Sequence, residues 1–293
     1  MYAILLPCLA VSLCRQGGKV NTIRTILAAT SLPRNEIRML LMQVLQRTQA
    51  WLVAHDDYVL TGHEDIQFSL LLARRAAGEP MAYVLGTREF YGRAFRCSPA
   101  ALIPRPETEL LVDIALQYLA TDAPSAVLDA GTGTGCIAIS VALERPRVAV
   151  IAIDISADAL ALAADNARRL SATLIFLESN WFTAVPVVAQ FDLILSNPPY
   201  IMPGDSHLVQ GDLRFEPAIA LADTVDGLES YRQLTIGAKQ HLRPGGMLIV
   251  EHGFDQGESV PALFRKTGFV DVVTQRDIAG HPRVTLCRKP PPH

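Results

Sequence analysis

The sequence has little that would staple a fold together from outside its core. Its five cysteines (Cys8, Cys14, Cys97, Cys136 and Cys287) are odd in number and scattered, with no Cys-x-x-Cys and no His-Glu-x-x-His. That argues against a disulfide scaffold and a structural zinc, so no metal is expected and a reducing, cytoplasmic setting is. Excess positive charge is also missing. With 26 Lys and Arg against 29 Asp and Glu, the net charge is −3, which is no surface for gripping duplex phosphates. The apolar stretch within residues 1–14 is shorter than the ~20 residues a membrane-spanning helix needs. Its Ile4-Leu5-Leu6 start resembles a signal-peptide core, but no Lys or Arg precedes it and no small-x-small cleavage site follows cleanly. Export, a start codon placed upstream of the true one, and helical packing onto the next segment are the three readings. The second is the simplest, and residues 1–20 are left unassigned.

What is present is apolar substance: half of 293 residues, too much for disorder and enough for one large or two unequal domains. Residues 21–80 read as a helical domain. Ile37, Leu40, Leu41, Val44 and Leu45 recur at i, i+3, i+4, i+7 and i+8, one stripe of a helix. Ser31-Leu32-Pro33 supplies its start signal, and a second stripe runs through Ile66, Leu70 and Ala73. His55 and His63 stand alone and are expected to face solvent, so this domain recognises something or caps the next one. Residues 81–105 read as a β-hairpin linker, Tyr83-Val84-Leu85-Gly86 and residues 89–95 alternating aromatic and polar side chains between glycines. Arg105, between Pro104 and Pro106, reads as an exposed charge on a stiff connector.

From residue 106 to 293 short apolar runs alternate with helical stretches. The runs are 126–128, 148–153, 174–176, 193–195, 247–250, 270–273 and 284–286. Most are too uniformly apolar to have a wet face, as in central parallel strands covered on both sides. This is a doubly wound α/β domain, and Gly280-His281-Pro282 between the last two runs suggests an antiparallel finish.

Chemistry-bearing residues fall at the carboxyl ends of these strands, where open α/β sheets bind ligands. Leu128-Asp129-Ala130-Gly131-Thr132-Gly133-Thr134-Gly135 is a strand running into a glycine turn. Its third glycine follows the second by two residues, whereas the dinucleotide fingerprint spaces it by three. Asp129 would sit poorly beside a pyrophosphate but well beside an amino group. Asp154 ends the next strand, placed for both ribose hydroxyls. An adenosyl ligand without phosphates and with an α-amino acid, S-adenosyl-L-methionine, meets both conditions, and Trp181 could flank its adenine or serve as a half-buried core indole.

The stretch Ser196-Asn197-Pro198-Pro199-Tyr200 then ends an apolar strand in a rigid turn. The prolines lack N–H groups, so carbonyls and the Asn197 oxygen form a cluster of acceptors, closed on one side by the Tyr200 ring. Asn-Pro and Pro-Pro mark ordinary turns on their own. All four residues at a strand end, downstream of a glycine turn, suit a planar –NH2 group.

These residues, with Ile103-Pro104-Arg105-Pro106-Glu107-Thr108-Glu109, residues 211–217 and Glu251-His252-Gly253, resemble the PrmC/HemK family of peptide chain release factor glutamine N5-methyltransferases. The resemblance runs from about Leu32 to Arg288. It implies a seven-stranded Rossmann-like class I methyltransferase domain behind a small substrate-recognition domain of helices. It implies that Gly131, Thr132, Gly133, Thr134, Gly135, Asp154, Trp181 and Asn197 contact the cofactor. Asn197, Pro198, Pro199 and Tyr200 would hold the glutamine of a Gly-Gly-Gln loop in class 1 release factors, with Asn197, Pro198 and Tyr200 carrying catalysis. Relatives often have an acidic residue before the tryptophan; here Asn180 stands, and its amide oxygen can still accept from adenine. Partners beyond the release factor, membrane or nucleic acid, are not expected. Two rivals remain: an adenine-N6 DNA methyltransferase, using the same turn on a flipped base, and a non-catalytic protein that docks on translation factors. Residues 201–217 read as a substrate-side cover or as structure held by Arg214 and Glu216. His252 is either near the site or a satisfied structural histidine.

Overall fold

The computed structural model describes residues 21–30 and 32–291, which form two compact units divided between Gly86 and Thr87. The first unit holds helices α1 (Ile23–Ala29), α2 (Arg34–Leu45), α3 (Gln49–Ala54), α4 (Gly62–Ala76) and α5 (Met81–Leu85). Helix α2 buries Ile37, Leu40 and Leu41, as its spacing requires. The residue preceding α2 is Pro33, which offers no side-chain cap, while the expected Ser31 cap lies outside the described residues. Two expectations fail here. In α4 Ile66 and Leu70 are both exposed, and the buried residue is Phe68, with Leu71 and Leu72 packed beside it. An equally periodic face with a larger ring wins. Arg75 fixes that rotation by pairing with Glu36 of α2 at 2.7 Å. The segment around Tyr83 is also helical, not the first arm of a hairpin. Pro80 precedes its first turn, Ala82, Tyr83 and Val84 are buried, and Gly86 ends it in the left-handed region at φ 75°.

The hairpin itself is β1 (Thr87–Phe90) and β2 (Arg93–Arg96), whose Phe90 and Phe95 join the core of the second unit. After α6 (Glu109–Tyr118) come β3 (Ser125–Ala130), α7 (Cys136–Glu144), β4 (Val148–Asp154), α8 (Ala157–Leu170), β5 (Ile175–Glu178) and β6 (Phe191–Ser196). The chain then runs through α9 (Ala218–Leu221), α10 (Glu229–His241), β7 (Leu242–Glu251), α11 (Ser259–Lys266), β8 (Val270–Arg276) and β9 (Pro282–Arg288). The seven strands lie in the order β5-β4-β3-β6-β7-β9-β8. The first five are parallel and β9 enters antiparallel between β7 and β8.

The apolar runs follow from burial on both faces. Val127, Leu193, Leu195, Met247 and Ile249 join one core with α6 and α7. Their neighbours Leu128, Ile194, Leu248 and Val250 join the other with α10 and α11. Alternate side chains point to opposite faces of a strand, so strands of a sheet covered on both faces carry apolar residues on both, with polar ones such as Asp129, Ser196 and Glu251 kept to their carboxyl ends. Gly237 of α10 shows how tight the second face is. An added Cβ there would lie 1.9 Å from the Phe182 ring, which is itself stacked on His241 at 5.5 Å. Gly237→Ala is therefore expected to cost about 1–3 kcal/mol of stability by overpacking, despite alanine's better helix propensity. A thermal melt with an unchanged midpoint would contradict this.

The order places the crossover where the chain, having laid β4 and β5 on one side of β3, returns to lay β6 on the other. The connections leaving β3 and β6 run to opposite sides at their carboxyl ends, and a crevice is expected there.

Candidate active site

A cleft of about 330 Å³ opens at that point. Gly131, Thr132, Gly133 and Thr134 after β3, Asp154 at the end of β4, Asn180 and Trp181 after β5, and Asn197 and Pro199 after β6 all line it. Four strands thus deliver their terminal residues to one place. Gly135 does not line the cleft. It begins α7 at φ 81°, where a Cβ would meet Ile139 at 2.8 Å and Ala163 at 3.1 Å, so its role is close packing of helix on helix. Pro198 is buried and Tyr200 half-buried; neither lines the cleft, and Tyr200 packs on the apolar cluster beneath it. Burial pushes the Tyr200 phenol up to about 12, so it stays protonated.

Asp154 accepts from Gly133 N and Ser156 N, each at 2.9 Å, and burial raises its pKa. Each oxygen keeps a further lone pair for a hydroxyl donor. Trp181 is half-buried and takes the left-handed conformation at φ 51°. The Ser179 hydroxyl holds it there by donating to the Trp181 carbonyl at 2.6 Å.

Three sequence expectations change. Asp129, expected beside a ligand amino group, is wholly buried beneath the turn, where Thr132 Oγ1 donates to its Oδ2 at 2.7 Å. Burial lifts its pKa to about 7, and its Oδ1 has no partner among the described residues. Arg105 is not a stray charge: it pairs with Glu216, whose side chain is fully buried and also accepts from Ile103 N at 2.9 Å. Glu216 is thus structural, tying the end of the 201–217 segment to the connector. Nor are all the turn's carbonyls unclaimed. The Ser230 hydroxyl sits 2.9 Å from the Pro199 carbonyl and 3.2 Å from Asp223 Oδ1. Asp223 in turn accepts from the backbone N–H groups of Val225, Asp226, Gly227, Glu229 and Ser230.

The buried Asp129 carboxyl makes stability depend on pH. Its pKa is near 7 folded and about 3.9 unfolded, so the native state holds more protons between those values. Its contribution is complete below about pH 4 and lost as pH rises through 7. Asp129→Asn should flatten the fall in melting temperature between pH 5 and 8. An unaltered slope would contradict the assignment.

Asn197 is half-buried on the cleft wall, and its Nδ2 donates to Thr108 Oγ1 at 3.2 Å. Behind Thr108 is Glu251, the last residue of β7, 2% exposed, with its pKa lifted by burial to about 7. His252 beside it is buried and satisfied, with 2.9 Å contacts to the Gly253 carbonyl and Thr285 Oγ1. Sequence reasoning singled out Asn197 and missed Thr108, Asp223, Ser230 and Glu251. For Glu251 a signal existed, a carboxylate closing the apolar buried run 247–250. Thr108 and Ser230 carry none, because a hydroxyl shows its partner only once distant segments meet.

Comparison with known proteins gives the arrangement a context. Residues 20–86 match the PrmC N-terminal domain model and residues 108–212 the methyltransferase small domain. The release factor glutamine methyltransferase of Bordetella pertussis is 51% identical, the match covering 91% of this chain and 98% of that one. That of Neisseria gonorrhoeae is 48% identical, covering 89% and 95%. Among solved structures, a T. thermophilus 16S rRNA N2 G1207 methyltransferase in complex with AdoMet and guanosine aligns with a TM-score of 0.51. It is 19% identical, covers 69% of this chain and 49% of that one, and shares the fold.

Proposed function

This chain belongs to the release factor glutamine methyltransferase family, and we propose that it methylates the glutamine of the Gly-Gly-Gln loop in bacterial class 1 peptide chain release factors. The methyl donor is S-adenosyl-L-methionine and the acceptor the side-chain amide nitrogen. The helical first unit is assigned to recognising the release factor, and the reaction to the cytoplasm.

The cleft suits an adenosyl ligand without phosphates. Among the described residues lining it, Arg105 is the single cation and Glu216 neutralises it. A pyrophosphate would meet no free positive charge, while Asp154 stands at the β4 end for ribose hydroxyls. Gly131, Thr132, Gly133, Thr134 and Trp181 would complete the cofactor contacts.

When bound, S-adenosyl-L-methionine supplies an electrophilic methyl group on sulfur. An amide nitrogen attacks such a carbon poorly because its lone pair is shared with the carbonyl. Asn197 Oδ1, on the cleft wall, would accept one amide hydrogen and the Pro198 carbonyl, on the peptide bond to the cleft-lining Pro199, the other, so aiming the nitrogen. Holding it in line is worth up to about 7–11 kcal/mol in the best cases. The same oxygens stabilise the positive charge that grows on nitrogen. The amide nitrogen would take the methyl group as its bond to sulfur is released, and the N-protonated amide would give its proton to water without a tuned base. Pro199 stiffens the turn, and Tyr200 supports it from below.

The single observation carrying this reading is Asn197 on the cleft wall with its amide nitrogen already engaged by Thr108. Incubation with labelled methyl donor and either a release factor or duplex DNA, in separate tubes, tests it. Label is expected in the release factor and absent once the Gly-Gly-Gln glutamine is replaced. Label in DNA would favour the adenine-N6 rival, and none in either a binding role.

A further inference from the structure

An asparagine side chain has two nearly isosteric ends of opposite hydrogen-bonding character. A site that needs its oxygen must stop the group from turning over. Two buried groups, the Thr108 hydroxyl and the Glu251 carboxylate, converge on Asn197. The Thr108 hydroxyl is 3.2 Å from Nδ2 and 2% exposed. The Glu251 carboxylate is also 2% exposed, and the neighbouring Thr108 and Asn197 side chains both favour its charged form against the larger opposing effect of burial. Glu251 Oε2 has no partner among the described residues, so acceptor capacity remains on that side. An ionised carboxylate only accepts. While Glu251 is ionised, the end of the Asn197 amide that faces it is therefore the –NH2 end.

We propose that Thr108 and Glu251 are positioning residues that lock the Asn197 carboxamide with its oxygen toward the cleft, and so fix the site's preference for a donor –NH2 group. Thr108 donates its hydroxyl hydrogen bond toward Glu251 and keeps its lone pairs for Asn197 Nδ2. The second Nδ2 hydrogen turns to Glu251 itself, and with the Thr108 hydrogen committed to that carboxylate neither group donates to an oxygen in its place. A flipped amide would set oxygen against carboxylate and present two hydrogens to the amide hydrogens of the substrate. The role unites three separate parts of the chain: the connector before α6, the end of β6 and the end of β7. The inference rests on the reading of Asn197 as the acceptor of the substrate amide.

The test compares Thr108→Val, Thr108→Ser, Glu251→Met, Glu251→Gln and Asn197→Ala in the full chain, with S-adenosyl-L-methionine and a class 1 release factor. Thr108→Val keeps the shape and removes the hydroxyl. It should lower kcat by about tenfold, the scale of one lost hydrogen bond, with KM for both substrates within about threefold. Thr108→Ser should restore kcat to within about threefold of the unmodified protein. Glu251→Met should cost at least about tenfold in kcat, and Glu251→Gln, which retains one acceptor oxygen, less. A folded Thr108→Val protein with unchanged kcat, or a Thr108→Ser protein no better than Thr108→Val, overturns the proposal. So does a loss spread equally over donor binding and kcat, which marks a structural role only. If Glu251→Met does not fold, the threonine pair still decides. Active Thr108→Val and Glu251→Met proteins beside an inactive Asn197→Ala protein sink this inference alone, whereas an active Asn197→Ala protein sinks the reading beneath it.

Discussion

Asn197→Ala is expected to lower kcat for methyl transfer by about 10²–10³-fold, the usual cost of removing one preorganised group from a site of developing charge. Affinity for S-adenosyl-L-methionine should change by no more than about threefold. The two effects separate because of where the residue sits. Its amide nitrogen is engaged with Thr108, and the cleft wall for an adenosyl ligand is built mostly by other strands, through Gly131, Asp154 and Trp181. Truncation removes an acceptor and also leaves Thr108 and Glu251 facing an empty position. Single-turnover methylation, with equilibrium dialysis of the labelled donor, reads both quantities. Activity within about threefold of the unmodified protein would mean the nitrogen is oriented by other groups, and the proposed chemistry would fall.

Asp154→Ala should act on the opposite quantity, weakening the donor by about 10–100-fold, since hydrogen bonds to a charged group are worth about 1.5–3 kcal/mol each. The carboxylate does two things at once. It is placed for the ribose, and it pins the glycine turn through Gly133 N at 2.9 Å and the start of α8 through Ser156 N at 2.9 Å. At saturating donor kcat should recover to within about threefold. A donor analogue lacking ribose hydroxyls should show most of the difference gone. Equal weakening of that analogue would assign Asp154 to the turn and not to the ligand.

Much of this was legible along the chain because burial on both sheet faces leaves no polar alternation. Hence residues 126–128, 193–195 and 247–250 announced central strands, and β3, β4, β5, β6, β7, β8 and β9 fall where apolar runs stand. The candidate site was legible through residues whose chemistry is local: glycines at positive φ, a strand-ending Asp154, an asparagine before two prolines. What stayed hidden depended on three-dimensional choice. Helix α4 offers two apolar faces, and only packing decided that Phe68 goes inside while Ile66 and Leu70 stay out. Asp129 sits one residue from a turn that lines the cleft, yet the strand's alternation sends it underneath. Arg105 looked solitary because its partner, Glu216, is 111 positions away.

Ile201 and Ala222 meet as an isolated parallel bridge, and Ile201 exchanges backbone hydrogen bonds with Leu221 and Asp223 at 3.0 and 2.9 Å. The chain thus departs from and comes back to one spot, immediately after Tyr200 and immediately before Asp223. With both feet clamped, and the return limb fastened again at Glu216, residues 203–212 hang outside the catalytic frame. Lengthening such an excursion costs little, since closure entropy grows only logarithmically with its size. Insertions or deletions there should leave methyl transfer chemistry intact, because neither the clamped feet nor the cleft lining would change.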